Sequence, residues 1–224
     1  RQLLRLSLAG EIWVLSPGLA AELTRLVPEE RIRVQPNGVA DLRPSEEAQE
    51  SRRTRAIDST PLRVLYLSNL IPSKGYPELL AAAEILSAES LPIHVRLAGY
   101  AGAFEGELER LIASLPQDVS CDFLGPVNSQ GRSELLAWAD VFCLPTYYPY
   151  EAQPQAIIEA MSAGLPIVAT TTGAIPETLT DGEEGILVEP RDAQSLAEAL
   201  GRLATDHALR LQLGVAARKR YEHD

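Results

Sequence analysis

The chain has 224 residues, of which 46% are hydrophobic and 23% are charged, so it is long enough to bury one sizeable core. Its 31 acidic and 20 basic residues give a formal net charge of -11, which disfavours nucleic acid and anionic lipid surfaces as partners. Neither a signal peptide nor a run of about 18 apolar residues is present. This composition is typical of a single α/β domain without a membrane span.

Few residues of the sequence suit a metal site or a disulfide. Cys121 and Cys143 both lie inside apolar, strand-like runs, where buried and reduced thiols are expected rather than a bridge or a catalytic pair. Reduced thiols favour a cytoplasmic location. The three histidines are scattered without ligand spacing, and no Asp-x-Asp triplet occurs. We therefore expect no metal and no bound cofactor.

The beginning of the chain differs from the rest. Residues 1–40 contain two short apolar runs, a helix start at Ser16-Pro17 and a turn signal at Pro36-Asn37-Gly38. We interpret them as the remnant of a preceding domain, with the interdomain segment and the strand that leads onward. Residues 41–61 are charged and poor in large apolar side chains, which predicts a solvated loop or linker, or an exposed helix. The main domain is expected over residues 62–224.

From residue 61 onward, apolar strand-like runs alternate with amphipathic helical runs. This alternation predicts a parallel sheet with helices on both faces, the doubly wound, Rossmann-like α/β fold. The predicted strands are RVLYLS (63–68), IHVRLAG (93–99), VSCDFLG (119–125), VFCLP (141–145), PIVAT (166–170) and GILVEP (185–190). Ligands of such sheets bind beyond the carboxyl ends of the strands, so the loops there are the candidates for function.

Three of these loops hold candidate contacts for a phosphate or a planar base. The first contains Asn69 and Lys74, and a lysine at the start of a helix, followed by a glycine, can grip a phosphate. Gly99 ends the second strand, and Gly125 and Val127 follow the third, where backbone groups are free to contact a base. Each loop has an ordinary alternative, namely a solvated lysine, a tight turn and a plain strand exit.

The loop after the fourth strand is the most informative one. Glu151 precedes Pro154, which we place at the first position of a helix that also carries Glu159. A helix that begins with proline leaves its first N–H groups unpaired and directed at the ligand edge, and these belong to Gln155, Ala156 and Ile157. Such a helix start favours an anion. The spacing alone also allows Glu159 to be solvated on the outer face of the helix.

The stretch over residues 151–170 resembles a motif of glycosyltransferase family 4, the group 1 glycosyltransferases of GT-B fold. In that family the second domain carries an E-x7-E motif, a helix of small residues and a buried strand, which are matched here by EAQPQAIIEAMSAGLPIVAT. The similarity continues through GAIPE (173–177) and DGEEG (181–185). Pro36-Asn37-Gly38-Val39 resembles the family's lead into this domain, and Lys74-Gly75 resembles its phosphate-contacting pair. The resemblance covers nearly the whole chain from about residue 10.

The resemblance implies a role for each matching residue. Glu151 is similar to the residue that holds the hydroxyls of the transferred sugar near the reacting carbon, and Lys74 resembles the cation that neutralises the departing diphosphate. These two are the candidate catalytic residues. Glu159 resembles the residue that accepts hydrogen bonds from the ribose. The candidate donor-binding residues are Glu159, Asn69, Gly99, Gly125, Val127, Gln153, Gln155, Ala156 and Ile157.

The chain departs from the family pattern at two places. Where the family commonly has arginine, this chain has Asn69, which offers only a neutral hydrogen bond, so we expect Lys74 and the helix start to carry most of the diphosphate charge. Where the family has a pair of glycines between the two glutamates, this chain has Ala152 and Pro154. Because proline has no N–H, a contact from that position to the sugar is in doubt.

The resemblance implies that the chain is the donor-binding half of a retaining, metal-independent glycosyltransferase. The donor would be a UDP- or GDP-sugar, and the acceptor would be a glycan or a lipid-linked glycan. The chain begins in RQLLRLSLAG and ends in RYEHD without cap signals, so we expect it to be part of a longer protein. A missing N-terminal domain would bind the acceptor and make any peripheral contact with the inner membrane. The segment alone should bind nucleotide weakly and catalyse no transfer.

Two other functions remain open from the sequence. The first is a catalytically silent nucleotide-sugar-binding or scaffold domain, which Asn69 and Pro154 favour. The second is a GT-B-fold epimerase or phosphorylase, which would share the sheet and the phosphate-binding helix. The paired glutamates at this spacing speak against the second.

Overall fold

The computed structural model describes residues 10–55 and 61–223 and contains the predicted doubly wound α/β fold. The strands are β1 (Ile12–Val14), β2 (Ile32–Val34), β3 (Leu62–Leu67), β4 (Ile93–Ala98), β5 (Ser120–Phe123), β6 (Val141–Leu144), β7 (Ile167–Thr170) and β8 (Gly185–Val188). The α-helices are α1 (Pro17–Leu23), α2 (Glu46–Arg55), α3 (Tyr76–Ala88), α4 (Glu105–Ser114), α5 (Ser129–Trp138), α6 (Gln155–Ser162), α7 (Ile175–Thr178), α8 (Ala193–Thr205) and α9 (His207–His223). Strands β3 to β8 confirm the six predicted runs, with ends that differ by one or two residues, as is usual for element boundaries.

The main sheet is parallel, with the strand order β5-β4-β3-β6-β7-β8. The direction of winding reverses between β3 and β6, where Val64 lies beside Val141 and Leu65 beside Phe142. Both strands are almost entirely buried, as expected for parallel strands that are covered on both faces. The loops that follow β3 and β6 therefore meet at the switch point, which is the usual ligand position of such sheets.

Strands β1 and β2 form a separate two-stranded parallel sheet. It has a small core of its own around Val14, Val27 and Ile32. Ser16 caps α1 as predicted, because its Oγ accepts a hydrogen bond from the N–H of Leu19 at 3.3 Å. That this unit is the remnant of a preceding domain stays a prediction.

The segment predicted as solvated contains a helix, α2, and differs from that interpretation at Arg52, which is only 9% exposed. The Arg52 guanidinium donates to the carbonyl oxygens of Ala163 at 3.1 Å and Leu136 at 2.8 Å. The charged sequence does not reveal this packing because the arginine binds the ends of two helices rather than joining the apolar core. Residues 56–60 of this segment lie outside the described residues, as do residues 1–9 and Asp224.

Both cysteines are free thiols, as the sequence predicts. Cys143 is fully buried in β6, and Cys121 is half-buried in β5. Burial raises the pKa of Cys121 to about 12, and burial also raises the pKa of Cys143. Neither thiol is therefore ionised near neutral pH. Across residues 10–55 and 61–223, no helix combines the length and apolar character that crossing a membrane requires.

Candidate active site

A cavity of about 490 Å³ opens at the switch point, beyond the carboxyl ends of β3, β4 and β6. It brings together most of the residues that the sequence singles out, namely Asn69, Lys74, Gly99, Val127, Glu151, Gln153, Gln155, Ala156 and Glu159. Its walls also include Ser68, Tyr100, Pro126 and Arg132, which the sequence analysis did not identify. Two of the predicted residues, Gly125 and Ile157, do not line the cavity.

Lys74 and Glu151 form an ion pair in this cavity. The Nζ atom of Lys74 lies 2.6 Å from Oε2 of Glu151, and the two side chains are 16% and 7% exposed. Oγ1 of Thr146 lies 2.8 Å from the same carboxylate oxygen and donates to it. Nζ of Lys74 also lies 4.8 Å from the centre of the Tyr148 ring. The resemblance implies separate roles for the lysine and the glutamate, but here they are in direct contact.

Two glycines allow the backbone to pack closely against this pair. At Gly75, φ is 85°, and a Cβ atom would lie 2.0 Å from the carbonyl oxygen of Pro145. At Gly173, φ is 57°, and a Cβ atom would lie 1.9 Å from the carbonyl oxygen of Glu151. A larger residue at either position would clash and would also take up a disfavoured conformation. The two glycines therefore allow the loops that carry Lys74 and Glu151 to pack closely against neighbouring backbone.

Tyr66 supports the loop that carries Asn69 and Lys74. Its hydroxyl lies 3.2 Å from the carbonyl oxygen of Asn69 and 3.3 Å from that of Lys74. Burial raises the pKa of Tyr66 well above its ordinary value, so the hydroxyl stays a donor. The loop after β3 is thus held from below by a buried side chain.

Glu159 is 6% exposed and so does not take the solvated position that the spacing left open. Its Oε1 atom accepts a hydrogen bond from Nη1 of Arg132 at 2.5 Å. Arg132 lies in the first turn of α5, which Asn128 caps by accepting from the N–H of Gly131 at 2.9 Å. Nε of Arg132 is buried and makes no hydrogen bond. The cavity thus contains a second cation, although Asn69 replaces the arginine that the family pattern leads one to expect.

The sequence carries a signal that could have identified Arg132. Arg132 is a basic residue in the first turn of a helix that follows a strand. Lys74 is a candidate for a similar reason, because it lies at the start of a helix that follows a strand. The family pattern, by contrast, predicts the second cation in the loop after β3, at the position of Asn69.

The start of α6 differs in two details from the prediction. Pro154 precedes the helix as its N-cap instead of being its first residue. The N–H of Ile157 donates to the carbonyl oxygen of Pro154 at 3.1 Å, so this amide is not free for an anion. Within the part of the chain that the structure describes, the N–H groups of Gln155 and Ala156 make no hydrogen bond. Two of the three predicted amides therefore remain as candidate donors.

Gln153 connects the cavity to the segment that follows β2. Its Oε1 atom accepts from the backbone N–H of Asn37 at 2.6 Å, and its carbonyl oxygen accepts from Nδ2 of Asn37 at 2.9 Å. Because both oxygens are used in this way, the side-chain NH₂ is the group that remains for a ligand. The loop between Glu151 and Pro154 is thereby fastened to the Pro36-Asn37-Gly38 turn.

The two glycine loops lie side by side at the far end of the cavity. The N–H of Gly99 donates to the carbonyl oxygen of Gly125 at 2.9 Å. Gly125 has a φ of 66° and turns the chain, whereas Pro126 and Val127 face the cavity. The predicted contact from Gly125 is therefore not supported by its position. Among the described residues, no group of three or more His, Cys, Asp or Glu side chains is placed to hold a metal ion.

Comparison with known proteins identifies the family. The family described as glycosyl transferases group 1 matches residues 47–220, which include the whole main sheet. The chain belongs to this family. The match confirms the resemblance that the E-x7-E motif indicates.

Several relatives of this group 1 glycosyltransferase chain are about twice its length. The GDP-mannose-dependent monoacylated alpha-(1-6)-phosphatidylinositol monomannoside mannosyltransferase of Corynebacterium glutamicum is 30% identical over 184 residues, which are 80% of this chain and 47% of that protein. Sucrose-phosphate synthase from Thermosynechococcus elongatus has a TM-score of 0.82 and 28% identity, covering 99% of this chain and 56% of that one. Anabaena HepE, solved in complex with UDP-glucose, has a TM-score of 0.79 and 23% identity, and the match covers 96% of this chain and 59% of that one. At this identity the similarity shows the fold alone. The chain thus spans about half the length of the relatives it matches.

Proposed function

We propose that the chain is the donor-binding half of a retaining, metal-independent glycosyltransferase that uses a nucleoside diphosphate sugar. The observation that carries the proposal is the convergence of two cations and two free amides with both motif glutamates on one cavity. The cations are Lys74 and Arg132, and the amides are those of Gln155 and Ala156. A nucleoside diphosphate sugar contains two phosphates, a ribose and a sugar. Cations and free amides suit its phosphates, and carboxylates suit the hydroxyls of its ribose and sugar.

The phosphate side of the proposal rests on Lys74 and on the start of α6. During transfer, the bond between the anomeric carbon and the phosphate oxygen breaks, and the departing nucleoside diphosphate keeps the electron pair. The anomeric carbon then bonds to the hydroxyl oxygen of the acceptor, whose proton passes to the departing phosphate. A lysine has three N–H donors, so its contact with Glu151 leaves two for the leaving oxygens. The free N–H groups of Gln155 and Ala156 add fixed donors that need no reorganisation as charge develops. Protein groups thus supply the charge stabilisation that the proposed metal-independent reaction requires.

The sugar and ribose side of the proposal rests on the two glutamates. Lys74 and Thr146 both contact Oε2 of Glu151, so Oε1 remains to accept a hydroxyl of the transferred sugar. Arg132 contacts Oε1 of Glu159, so Oε2 remains to accept a ribose hydroxyl. The names of two similar proteins, one GDP-mannose-dependent and one solved with UDP-glucose, support a nucleotide sugar as the donor. Retention of configuration rests on the family resemblance.

The other half of the full protein is proposed to bind the glycan or lipid-linked acceptor and to make any contact with the inner membrane. The free, reduced Cys121 and Cys143 support the cytoplasmic location that we propose for the reaction.

Titration calorimetry of the chain with UDP-glucose and GDP-mannose tests the donor-binding proposal. We expect saturable heat with at least one of them, and weaker binding in Lys74→Ala. No heat with either would contradict the proposal and favour a silent scaffold domain. For the full-length protein, NMR of the product tests retention, because a product of inverted anomeric configuration would contradict that part.

A further inference from the structure

A second cavity, of about 440 Å³, lies at the opposite edge of the main sheet. It opens between α2 and α9 and is lined by Asp140 and Pro166, which immediately precede β6 and β7. The candidate active site lies at the carboxyl ends of these strands, whereas this cavity lies at their amino ends. The two cavities share no lining residue. A ligand at one of them is therefore not in contact with a ligand at the other.

The second cavity is strongly basic in a chain whose formal net charge is -11. Two acidic residues line it, Asp140 and Glu222. The basic residues that line it are Arg43, Arg52, Arg53, Arg210, Arg218 and Lys219. With 20 lysines and arginines in the chain, a group of six around one cavity is a pronounced local excess. This local charge is opposite in sign to the charge of the chain as a whole.

The innermost cations of this cavity bind neutral groups. Arg52 donates to the carbonyl oxygens of Ala163 and Leu136, and its Nε atom is buried without a hydrogen-bond partner. Arg210 donates to the carbonyl oxygen of Leu203 at 2.8 Å. These carbonyl oxygens do not cancel the formal charge. The carboxylate of Asp140 acts on both arginines, but it is itself paired with Arg55 at 3.3 Å, so the inner part of the cavity keeps an excess of positive charge. Burial lowers the pKa of Arg52 to about 10, which leaves it charged at neutral pH, and burial also lowers the pKa of Arg210.

The outer cations are available to a ligand. The side chains of Arg43 and Lys219 are exposed, and within the described residues they make no hydrogen bond or ion pair, although the charge of Arg43 contributes to the lowered pKa of nearby Asp41. Arg53 contacts Glu50 at 3.5 Å in an exposed i,i+3 pair, which is a weak interaction. Arg218 is already bound to Asp41 and Glu222. The mouth of the cavity therefore presents two uncommitted cations in front of a buried positive charge.

We propose that this second cavity binds a phosphate-bearing anion. A phosphate or diphosphate carries several negative charges in a small volume, and guanidinium and ammonium groups are its usual partners. The phosphate group could belong to a soluble phosphorylated compound or to the headgroup of an anionic lipid. In both cases the same side chains bind the phosphate group. Arg43 and Lys219 contact it at the mouth of the cavity, and the buried charge of Arg52 attracts it from inside.

An NMR titration of the ¹⁵N-labelled chain with pyrophosphate tests this proposal. The double variant Arg43→Ala/Lys219→Ala removes the two uncommitted cations, and Lys74→Ala serves as the matched control because it removes a cation from the other cavity. We expect saturable shifts of the amides around Arg43 and Gly164 that persist in the control. Losing two charge-assisted contacts should weaken pyrophosphate binding at this site about tenfold or more in the double variant.

Two results would overturn the proposal. One is the absence of saturable shifts around Arg43 and Gly164. The other is that these shifts vanish in Lys74→Ala and persist in the double variant, since pyrophosphate would then bind only at the candidate active site. Thermal unfolding checks the fold of the double variant. Its melting temperature should stay unchanged, because both side chains are exposed and make no hydrogen bond or ion pair within the described residues.

Sedimentation with lipid vesicles distinguishes the two sources of the phosphate group. Binding to phosphatidylglycerol vesicles, but not to phosphatidylcholine vesicles, with loss in the double variant, would assign the cavity to a lipid headgroup. Pyrophosphate binding without vesicle binding would assign it to a soluble phosphorylated compound. If the double variant still binds the vesicles, the lipid does not bind through Arg43 and Lys219, and the assignment of the cavity to a lipid headgroup is wrong.

Discussion

The contact between Lys74 and Glu151 makes Lys74→Ala the most informative single substitution in the candidate active site. The variant removes an ammonium group that lies 2.6 Å from the glutamate and, in the proposed complex, contacts the diphosphate. A hydrogen bond to a charged group contributes about 1.5–3 kcal/mol, which corresponds to roughly 10- to 150-fold in donor affinity. Asn69 offers a neutral hydrogen bond of about 0.5–1.5 kcal/mol, so Asn69→Ala should weaken binding only about 2- to 10-fold.

Titration calorimetry with the sugar nucleotide that binds the unmodified chain measures this difference. Lys74→Met is the better matched variant, because it keeps most of the side-chain volume and removes only the charge. Lys74→Met also leaves Glu151 with Thr146 as its remaining side-chain partner. The free energy of unfolding, measured in urea, should therefore fall by about 1–3 kcal/mol. Adding Glu151→Gln should recover part of that stability. If Asn69→Ala weakens donor binding more than Lys74→Met does, the assignment of the phosphate charge to Lys74 is wrong.

Three further predictions concern other contacts. Arg132→Ala removes the partner of the mostly buried Glu159 and should weaken donor binding about tenfold. Arg132→Lys keeps a positive charge and should recover part of the lost affinity. Equal donor affinity in both variants and the unmodified chain would show that the ion pair does not contribute to donor binding. Gln153→Ala removes the acceptor of the Asn37 N–H, so hydrogen exchange of that amide should become at least about fivefold faster, and an unchanged rate would contradict the 2.6 Å bond. Cys143 should resist iodoacetamide in the folded chain and react after denaturation, because burial shields its thiol and raises its pKa; rapid native labelling would contradict the buried position of β6.

Most strands of the main sheet could be predicted because they are short, largely apolar runs that end at a polar or glycine-containing loop. Parallel strands that are covered on both faces are mainly apolar, so β3 and β6 stand out from their surroundings. The packing of α2 could not be predicted in the same way. Arg52 is buried through hydrogen bonds to carbonyl oxygens of distant helices, and a charged sequence gives no indication of such partners.

The sequence singles out most of the residues that line the cavity, but neither Arg132 nor the pairing of the charges. Lys74 and Glu151 are far apart in sequence and meet because β3 and β6 are neighbours at the switch point. Glu159 is buried, and its partner Arg132 comes from another helix. The start of α6 lies one residue later than the proline signal indicates, and this shift commits the amide of Ile157 to the backbone. Hydrogen-bond partners therefore depend on tertiary contacts that local sequence signals do not contain.

The most direct test of the central claim is an NMR titration of the ¹⁵N-labelled chain with UDP-glucose and with GDP-mannose. If the start of α6 holds the diphosphate, the amide signals of Gln155 and Ala156 should shift most strongly on binding, because their N–H groups gain an anionic acceptor. The Ile157 amide, already bonded to Pro154, should shift less. Saturable binding that leaves Gln155 and Ala156 unshifted would contradict the claim that this helix start and its cavity form the donor site.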